Sequence, residues 1–291
     1  MKDFSHWKEY EGASEGSGRS EKLWLINPDT AQTGLFKYKK DIYTTDHASE
    51  CIASDLAQLI GIPCAHFEIG MFRGREGSFS YNIVDHRGMA LIEGIYCISL
   101  IYNDFDVEKL MDIRTGERYS LEMIEKVLTK FNLFDAFLPT LVFDFLIGNT
   151  DRHQSNWALI MEDKKLGLSP LYDNSSSLCA YVQEAKIDHY LGNDTVRWKS
   201  LVDSKSKSLI RINSDDGKLP THAEVLKVLH KKYYAQTVET VNNISKFVTN
   251  NQIHDILEKY HEVLSIKRRC LIRKYILSKI EIMQDIYFAK R

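Results

Sequence analysis

Residues 145–158 read FLIGNTDRHQSNWA: Phe145, Leu146 and Ile147, then Asp151, Arg152, His153, Gln154, Ser155 and Asn156, then Trp157 and Ala158. A plain surface loop has no need of such functional chemistry between two apolar segments, and polar groups sunk there point to a pocket. Downstream, SPLYDNSSSL (169–178) follows a short strand-like LGLSPLY and places Asp173 twenty-two residues after Asp151.

An Asp, an Asn five residues later and a second Asp are what phosphoryl transfer requires, because the protein's work there is positioning and charge neutralisation. One carboxylate, Asp151, orients the attacking hydroxyl and accepts its proton. A second carboxylate and an amide oxygen, Asp173 and Asn156, hold Mg²⁺, which prefers hard oxygen ligands and keeps several waters. The D-x-x-x-x-N spacing followed by Asp matches the protein-kinase catalytic loop and metal-binding Asp. The competing structural reading makes Asp151 a turn cap and Asn156 a backbone partner. His153 either pairs with Asp151 or a phosphate, or makes a structural hydrogen bond.

A kinase needs three further parts in its other lobe: a glycine-rich phosphate loop, a strand lysine and a helix glutamate. EGASEGSGRS (11–20) supplies Gly12, Ser14, Gly16, Ser17 and Gly18 ahead of the strand-like KLWLI (22–26). Glycines let backbone N–H groups approach phosphate oxygens closely. The turn NPDTAQT leads to GLFKYK (34–39), where Lys37 is the candidate and Lys39 and Lys40 compete; periodicity cannot separate residues 37 and 39. HASECIASDLAQLIG (47–61) reads as a helix opening near Glu50 and stopping at Gly61. AHFEIGMF and SFSYNIV read as two more strands.

Residues 120–147 carry one long helical pattern, apolar nearly all round in its second half, in which Pro139 kinks the helix or opens a new turn. From Pro220 onward the chain reads as amphipathic helices, with capping-box spacing at Thr221 and Glu224. The fold class is α+β: a bilobed protein-kinase-like fold with a small β-rich N-lobe (1–88) and a larger helical C-lobe (89–291).

The 291 residues are 44% hydrophobic and 27% charged with net charge −2, so there is no global electrostatic case for nucleic-acid or membrane binding. Five scattered cysteines without CxxC spacing argue against a disulfide framework or zinc site and suit a reducing cytosol. No signal core and no membrane span are read, which places the protein in the cytoplasm, with secretion as an effector left open.

GASEGSGRSEKLWL, LFKYK, HASECIASDLAQLIGI, FDFLIGNTDRHQSNWALI and SPLYDNSSSL together resemble the HipA-like kinases, bacterial Ser/Thr protein kinases of toxin–antitoxin systems, in the compact form lacking an extra N-terminal subdomain. The D-R-H-x-x-N form is shared with phosphoinositide kinases. The resemblance implies ATP and Mg²⁺, Asp151 as catalytic base, and Asn156 and Asp173 as metal ligands. It makes Lys37 the phosphate-contacting lysine and Glu50 its ion-pair partner, and places the adenine-contacting linker near 80–84 (Tyr81, Asn82, Ile83). It also implies a protein substrate with a Ser or Thr acceptor, autophosphorylation at Ser14, Ser17 or Ser20, and a separate small antitoxin-like partner. Asn174 departs from the glycine of ordinary protein kinases, so a flip of that segment is not implied. Segment 175–200 holds the place of an activation segment. The alternatives are a catalytically inactive nucleotide-binding module, or a kinase acting on a lipid or small molecule.

Overall fold

A computed structural model of the protein describes residues 1–11, 21–84 and 88–289. The glycine-rich segment, with Gly12, Ser14, Gly16, Ser17 and Gly18, lies outside the described residues.

The N-terminal part contains β1 (Lys2–Asp3), β2 (Lys8–Glu9), β3 (Lys22–Ile26), β4 (Thr33–Tyr38), α1 (Asp46–Ile60), β5 (Phe67–Phe72) and β6 (Arg75–Tyr81). The strands form one sheet in the order β1-β5-β6-β4-β3-β2. β1 runs parallel to β5, whereas the other pairs are antiparallel. Asn27 makes the β3–β4 turn, its Oδ1 accepting from Asp29 N–H at 2.9 Å. On β4, Gly34, Phe36 and Tyr38 are buried on one face, while Lys37 takes the other. Phe4, Trp7, Leu25, Phe36, Tyr38, Phe72 and Phe79 form a small aromatic core beneath the sheet. β6 ends at Tyr81, so the strand expected over 78–84 starts earlier and releases Asn82 sooner.

α1 terminates at Gly61, whose φ of 76° is the left-handed conformation glycine adopts freely. Its buried face joins the large core rather than the small aromatic one. Asp55 on α1 receives Lys259 Nζ at 3.1 Å and Tyr260 Oη at 2.9 Å, which fastens the helix to the C-terminal half.

That half contains β7 (Ala90–Glu93), α2 (Gly94–Ser99), β8 (Phe105–Asp106), β9 (Met111–Asp112), α3 (Leu121–Leu128), α4 (Phe134–Ile147), β10 (Ala158–Glu162) and β11 (Lys165–Leu168). Two short helices, α5 (Ile187–Leu191) and α6 (Thr195–Lys199), precede α7 (His222–Lys232), α8 (Tyr234–Phe247), α9 (Asn250–Glu258) and α10 (Ile266–Phe288). The expected single helix over 120–147 is two helices. Asn132, at φ 56°, ends the first, and α4 then runs unbroken with Pro139 in its second turn. α4 is buried almost throughout and is packed by α7, α8 and α10. The capping box at Thr221 and Glu224 is present at the start of α7. Mixed α and β elements in this order form a kinase-like α+β fold.

A Cβ on Gly34 would sit 2.2 Å from Phe79 Cζ and 2.4 Å from the Ser80 carbonyl oxygen. Gly34→Ala is therefore expected to destabilise the protein by about 1–3 kcal/mol through overpacking, measured as a lowered urea midpoint at unchanged m-value.

Candidate active site

The loop after α4 is built by its own polar groups. Gly148 turns the chain at φ 66°. Asn149 then accepts Asp151 N–H on Oδ1 at 3.0 Å and donates through Nδ2 to Asp144 at 3.1 Å. Asn156 donates its side-chain N–H to the Asp151 carbonyl at 2.7 Å. That bond fixes the amide so that Oδ1 remains the group to offer a cation. His153 Nδ1 accepts Ser155 N–H at 3.1 Å, so the structural reading of this histidine is the one seen: its ring is anchored within the loop, close enough to Asp151 and Asp173 to favour their ionised forms.

Behind the loop lies Arg152, only 1% exposed. It donates from Nε and Nη2 to the two oxygens of Asp144 at 3.0 and 2.7 Å, a bidentate pair. Nη1 donates to the carbonyls of Asn156 at 2.7 Å and Tyr172 at 3.0 Å, and Nη2 also to Asn174 Oδ1 at 2.6 Å. All five guanidinium donors are thereby used.

Asp173 reaches the site from a different direction. Leu171 N–H donates to the Pro63 carbonyl and Ala65 N–H to the Leu171 carbonyl, each at 2.8 Å, so residues 171–174 run alongside the segment that follows α1. Asp173 itself is held at φ 54°, a sparsely populated conformation for a non-glycine residue. Asn174 is fully buried. Its N–H donates to Glu50 Oε1 at 2.6 Å, its carbonyl accepts from Ser177 Oγ at 2.6 Å, and its amide oxygen is held by Arg152. Releasing this residue would strand several buried polar groups, which gives a physical reason why a flip of the segment is disfavoured.

The candidate lysines differ in their partners. Lys37 Nζ lies 3.1 Å from Asp173 Oδ1. Lys39, beyond the end of β4, meets Glu76 at 3.5 Å instead. Lys40 acts on Asp151 by its charge and lies 6.0 Å from the Tyr181 ring. The expected Lys37–Glu50 ion pair is not formed. The two are close enough for each to influence the other's charge, but the direct partner of Lys37 is Asp173, while one oxygen of Glu50 takes Asn174 N–H and Oε2 is buried without a hydrogen-bond partner among the described residues. Of the linker residues, Tyr81 and Asn82 direct their N–H groups to the carbonyls of His66 and Thr33 at 3.0 Å. The Tyr81 side chain turns away to Glu68, and Ile83 packs against the large core.

The electrostatics follow from burial and mutual charge. Burial pushes Asp173 up, but Lys37 and the Ser175 hydroxyl outweigh it and hold the carboxyl below its ordinary range. Burial raises Asp151, and the charge of Asp173 adds to it. Glu50 is pushed up to about 7, chiefly by burial. Lys37, Lys40, Asp46, His47, Glu50 and Ser175 line a small cavity here. Among the described residues no three His, Cys, Asp or Glu side chains cluster as a ready metal cage. Asp173 and Asn156 nevertheless fit Mg²⁺, since they present a carboxylate held ionised and an oriented amide oxygen, and this ion takes most of its remaining ligands from phosphates and water.

Asp144, Asn149, Arg152 and His222 were not assigned roles from sequence. A lone carboxylate in the apolar LVFDFLI of α4 was the available signal, because a buried Asp demands a partner.

The chain belongs to the HipA-like family: the HipA-like C-terminal domain matches residues 14–246. The fold resembles that of the Helicobacter pylori proinflammatory kinase CtkA, with TM-score 0.80 at 17% identity over 98% of this chain and 96% of that one. It also resembles Shewanella oneidensis HipA, solved with HipB and operator DNA, with TM-score 0.59 at 12% identity over 98% of this chain and 69% of that one. Y4dM of Sinorhizobium fredii, which carries a kinase name, is 34% identical over 105 residues, or 35% of this chain. The chain spans 23% of the length of that relative.

Replacing Arg152 by Met leaves Asp144 buried without its counter-ion, so a loss of about 3–5 kcal/mol is expected in chemical denaturation. Glu50 gives a pH test. Its folded-state pKa is raised from 4.5 to about 7, so the stability linked to its proton is fully present below about 4.5 and lost as pH rises through 7. Glu50→Gln should flatten that decline: its melting temperature relative to wild type should be higher at about pH 8 than at about pH 4.

Proposed function

We propose that the protein is an ATP- and Mg²⁺-dependent kinase that transfers the γ-phosphoryl group to a Ser or Thr hydroxyl of a protein. The observation that carries this reading is the convergence of Lys37 on Asp173 beside the Asp151–Asn156 loop. Asp151 orients the acceptor hydroxyl and takes its proton; its raised pKa brings a carboxylate closer to the pH at which a base must work. Lys37 contacts the phosphates, and the buried, unpartnered Glu50 Oε2 is the acceptor open to it when Asp173 turns to a metal. Asn156 and Asp173 would hold Mg²⁺, which supplies neutralisation of phosphate charge. Protein donors anchored before the reaction lower its cost because they need not reorganise.

The glycine-rich segment would cover the phosphates, and Ser14, Ser17 and Ser20 are the candidate autophosphorylation sites. A phosphate there places about two negative charges against those of ATP and would switch the enzyme off. HipA of Shewanella is found with HipB, and a small antitoxin-like protein is the corresponding partner proposed for this chain. Among the described residues no helix is long and apolar enough to cross a membrane.

The test is incubation with γ-labelled ATP and Mg²⁺, followed by phosphopeptide mapping. Label on serine or threonine supports the reading, whereas nucleotide binding without transfer points to an inactive module and label on lipid alone to another acceptor. Asp151→Ala should reduce transfer at least about 100-fold with ATP affinity nearly unchanged. Asp173→Ala should abolish transfer and also weaken Mg²⁺-dependent nucleotide binding, measured by calorimetry with and without the ion.

A further inference from the structure

Against the loop that carries Asp151, a buried polar cluster joins α10, the segment before α7 and the first residue of α7. Lys279 Nζ lies 2.8 Å from Ser206 Oγ, and Ser206 Oγ lies 3.0 Å from His222 Nδ1 and 3.1 Å from Tyr275 Oη. His222 Nε2 lies 2.7 Å from the Asn149 carbonyl oxygen. Lys279, Ser206 and His222 are 1%, 4% and 3% exposed.

The direction of every bond in the line is dictated by its ends. A carbonyl only accepts, so His222 carries its proton on Nε2 and donates to Asn149. A neutral ring then leaves Nδ1 as an acceptor, so the Ser206 hydroxyl donates to it, and Ser206 Oγ accepts from Lys279. Burial keeps the ring neutral, with its pKa lowered to about 4. Lys279 is likewise depressed to about 7 by burial, with Asp203 and Cys179 opposing. Among the described residues no carboxylate forms an ion pair with it; its nitrogen lies 4.6 Å from the centre of the Phe145 ring, on the helix that leads into the loop. Asn149 continues the line, because its side chain accepts the N–H of Asp151. Tyr275 adds a steric contact at the same place: a Cβ on Gly148 would lie 2.0 Å from its hydroxyl oxygen.

A serine beside a histidine and a lysine invites a nucleophilic role, but their burial denies any substrate access. We propose instead that Lys279, Ser206 and His222 are positioning residues for the loop that carries Asp151, acting through a one-way hydrogen-bond chain that ends on the Asn149 carbonyl. This inference rests on the reading of Asp151 as the base. A buried lysine is costly and adds little packing that methionine would not, so its presence makes sense if its donor is needed at Ser206.

The test compares Ser206→Ala, Lys279→Met, His222→Leu and His222→Gln in the full chain. Hydrogen–deuterium exchange is followed in peptides covering 147–157, 221–232 and 266–288, and ATP turnover is measured alongside. Ser206→Ala, Lys279→Met and His222→Leu should speed exchange in 147–157 by about 10-fold while both helices keep their protection, and kcat should fall about 10-fold with KM for ATP within about 2-fold. His222→Gln retains an N–H for Asn149 and should recover most of both. Unchanged exchange in 147–157 would overturn the proposal, as would equal loosening of all three segments, which is the mark of a merely structural role. The exchange measurement decides this even if the wild-type chain transfers no phosphoryl group, an outcome that would count against the kinase reading alone.

Discussion

The arrangement of the site depends on a guanidinium sealed inside the larger half of the molecule. Arg152 binds both oxygens of Asp144 on α4, the Asn156 and Tyr172 carbonyls, and the Asn174 side chain. The five bonds reach three parts of the site: the helix before the loop, the far end of the loop, and the segment that presents Asp173. A buried ion pair is a poor source of net stability, because desolvation offsets much of its attraction. Its value here is geometric. With every donor occupied, the loop and the segment of Asp173 have one mutual arrangement of low energy.

This constraint explains why the candidate site residues themselves can be left under-satisfied. Asp151 makes no side-chain hydrogen bond among the described residues and is raised by burial. Asp173 is held in a strained backbone conformation. Glu50 carries a buried oxygen without a hydrogen-bond partner among the described residues. Such features persist only where the surroundings over-determine them, and Arg152, Asn174 and Asn149 supply that surplus. The smaller half contributes through α1, whose Glu50 reaches the backbone of Asn174 and whose Asp55 is tied to Lys259 and Tyr260. The glutamate helix is thus tied to the larger half as well as packed on the sheet, and Lys37 adds a contact from the sheet to Asp173.

The Lys37 contact also shows where spacing and structure part. The expected partner of Lys37 is Glu50, whereas the observed partner is Asp173. Glu50 lies close enough for its charge to act on the lysine, but its hydrogen bond goes to the Asn174 N–H.

Motif spacing by itself determined the polar loop, the downstream Asp, the order in which Lys37 on a strand and Glu50 on a helix follow one another, and the mixed α+β character of the fold. Those are local or strictly ordered features, set by periodicity, glycine stops and short-range chemistry. Periodicity left Lys37 and Lys39 equivalent, and only the end of β4 at Tyr38 separates them. It also merged α3 with α4, because the left-handed turn at Asn132 carries no glycine to announce it. The two-residue strands β1 and β2 are too short to show a pattern and exist through their pairing with β5 and β3. The partners of Asp144, Asn149, Asn174 and His222 lie up to 124 residues away, as with Glu50 and Asn174. Contacts of that kind arise when apolar burial brings distant segments together and leaves their polar groups to satisfy one another, which one-dimensional spacing does not encode and only the tertiary structure decides.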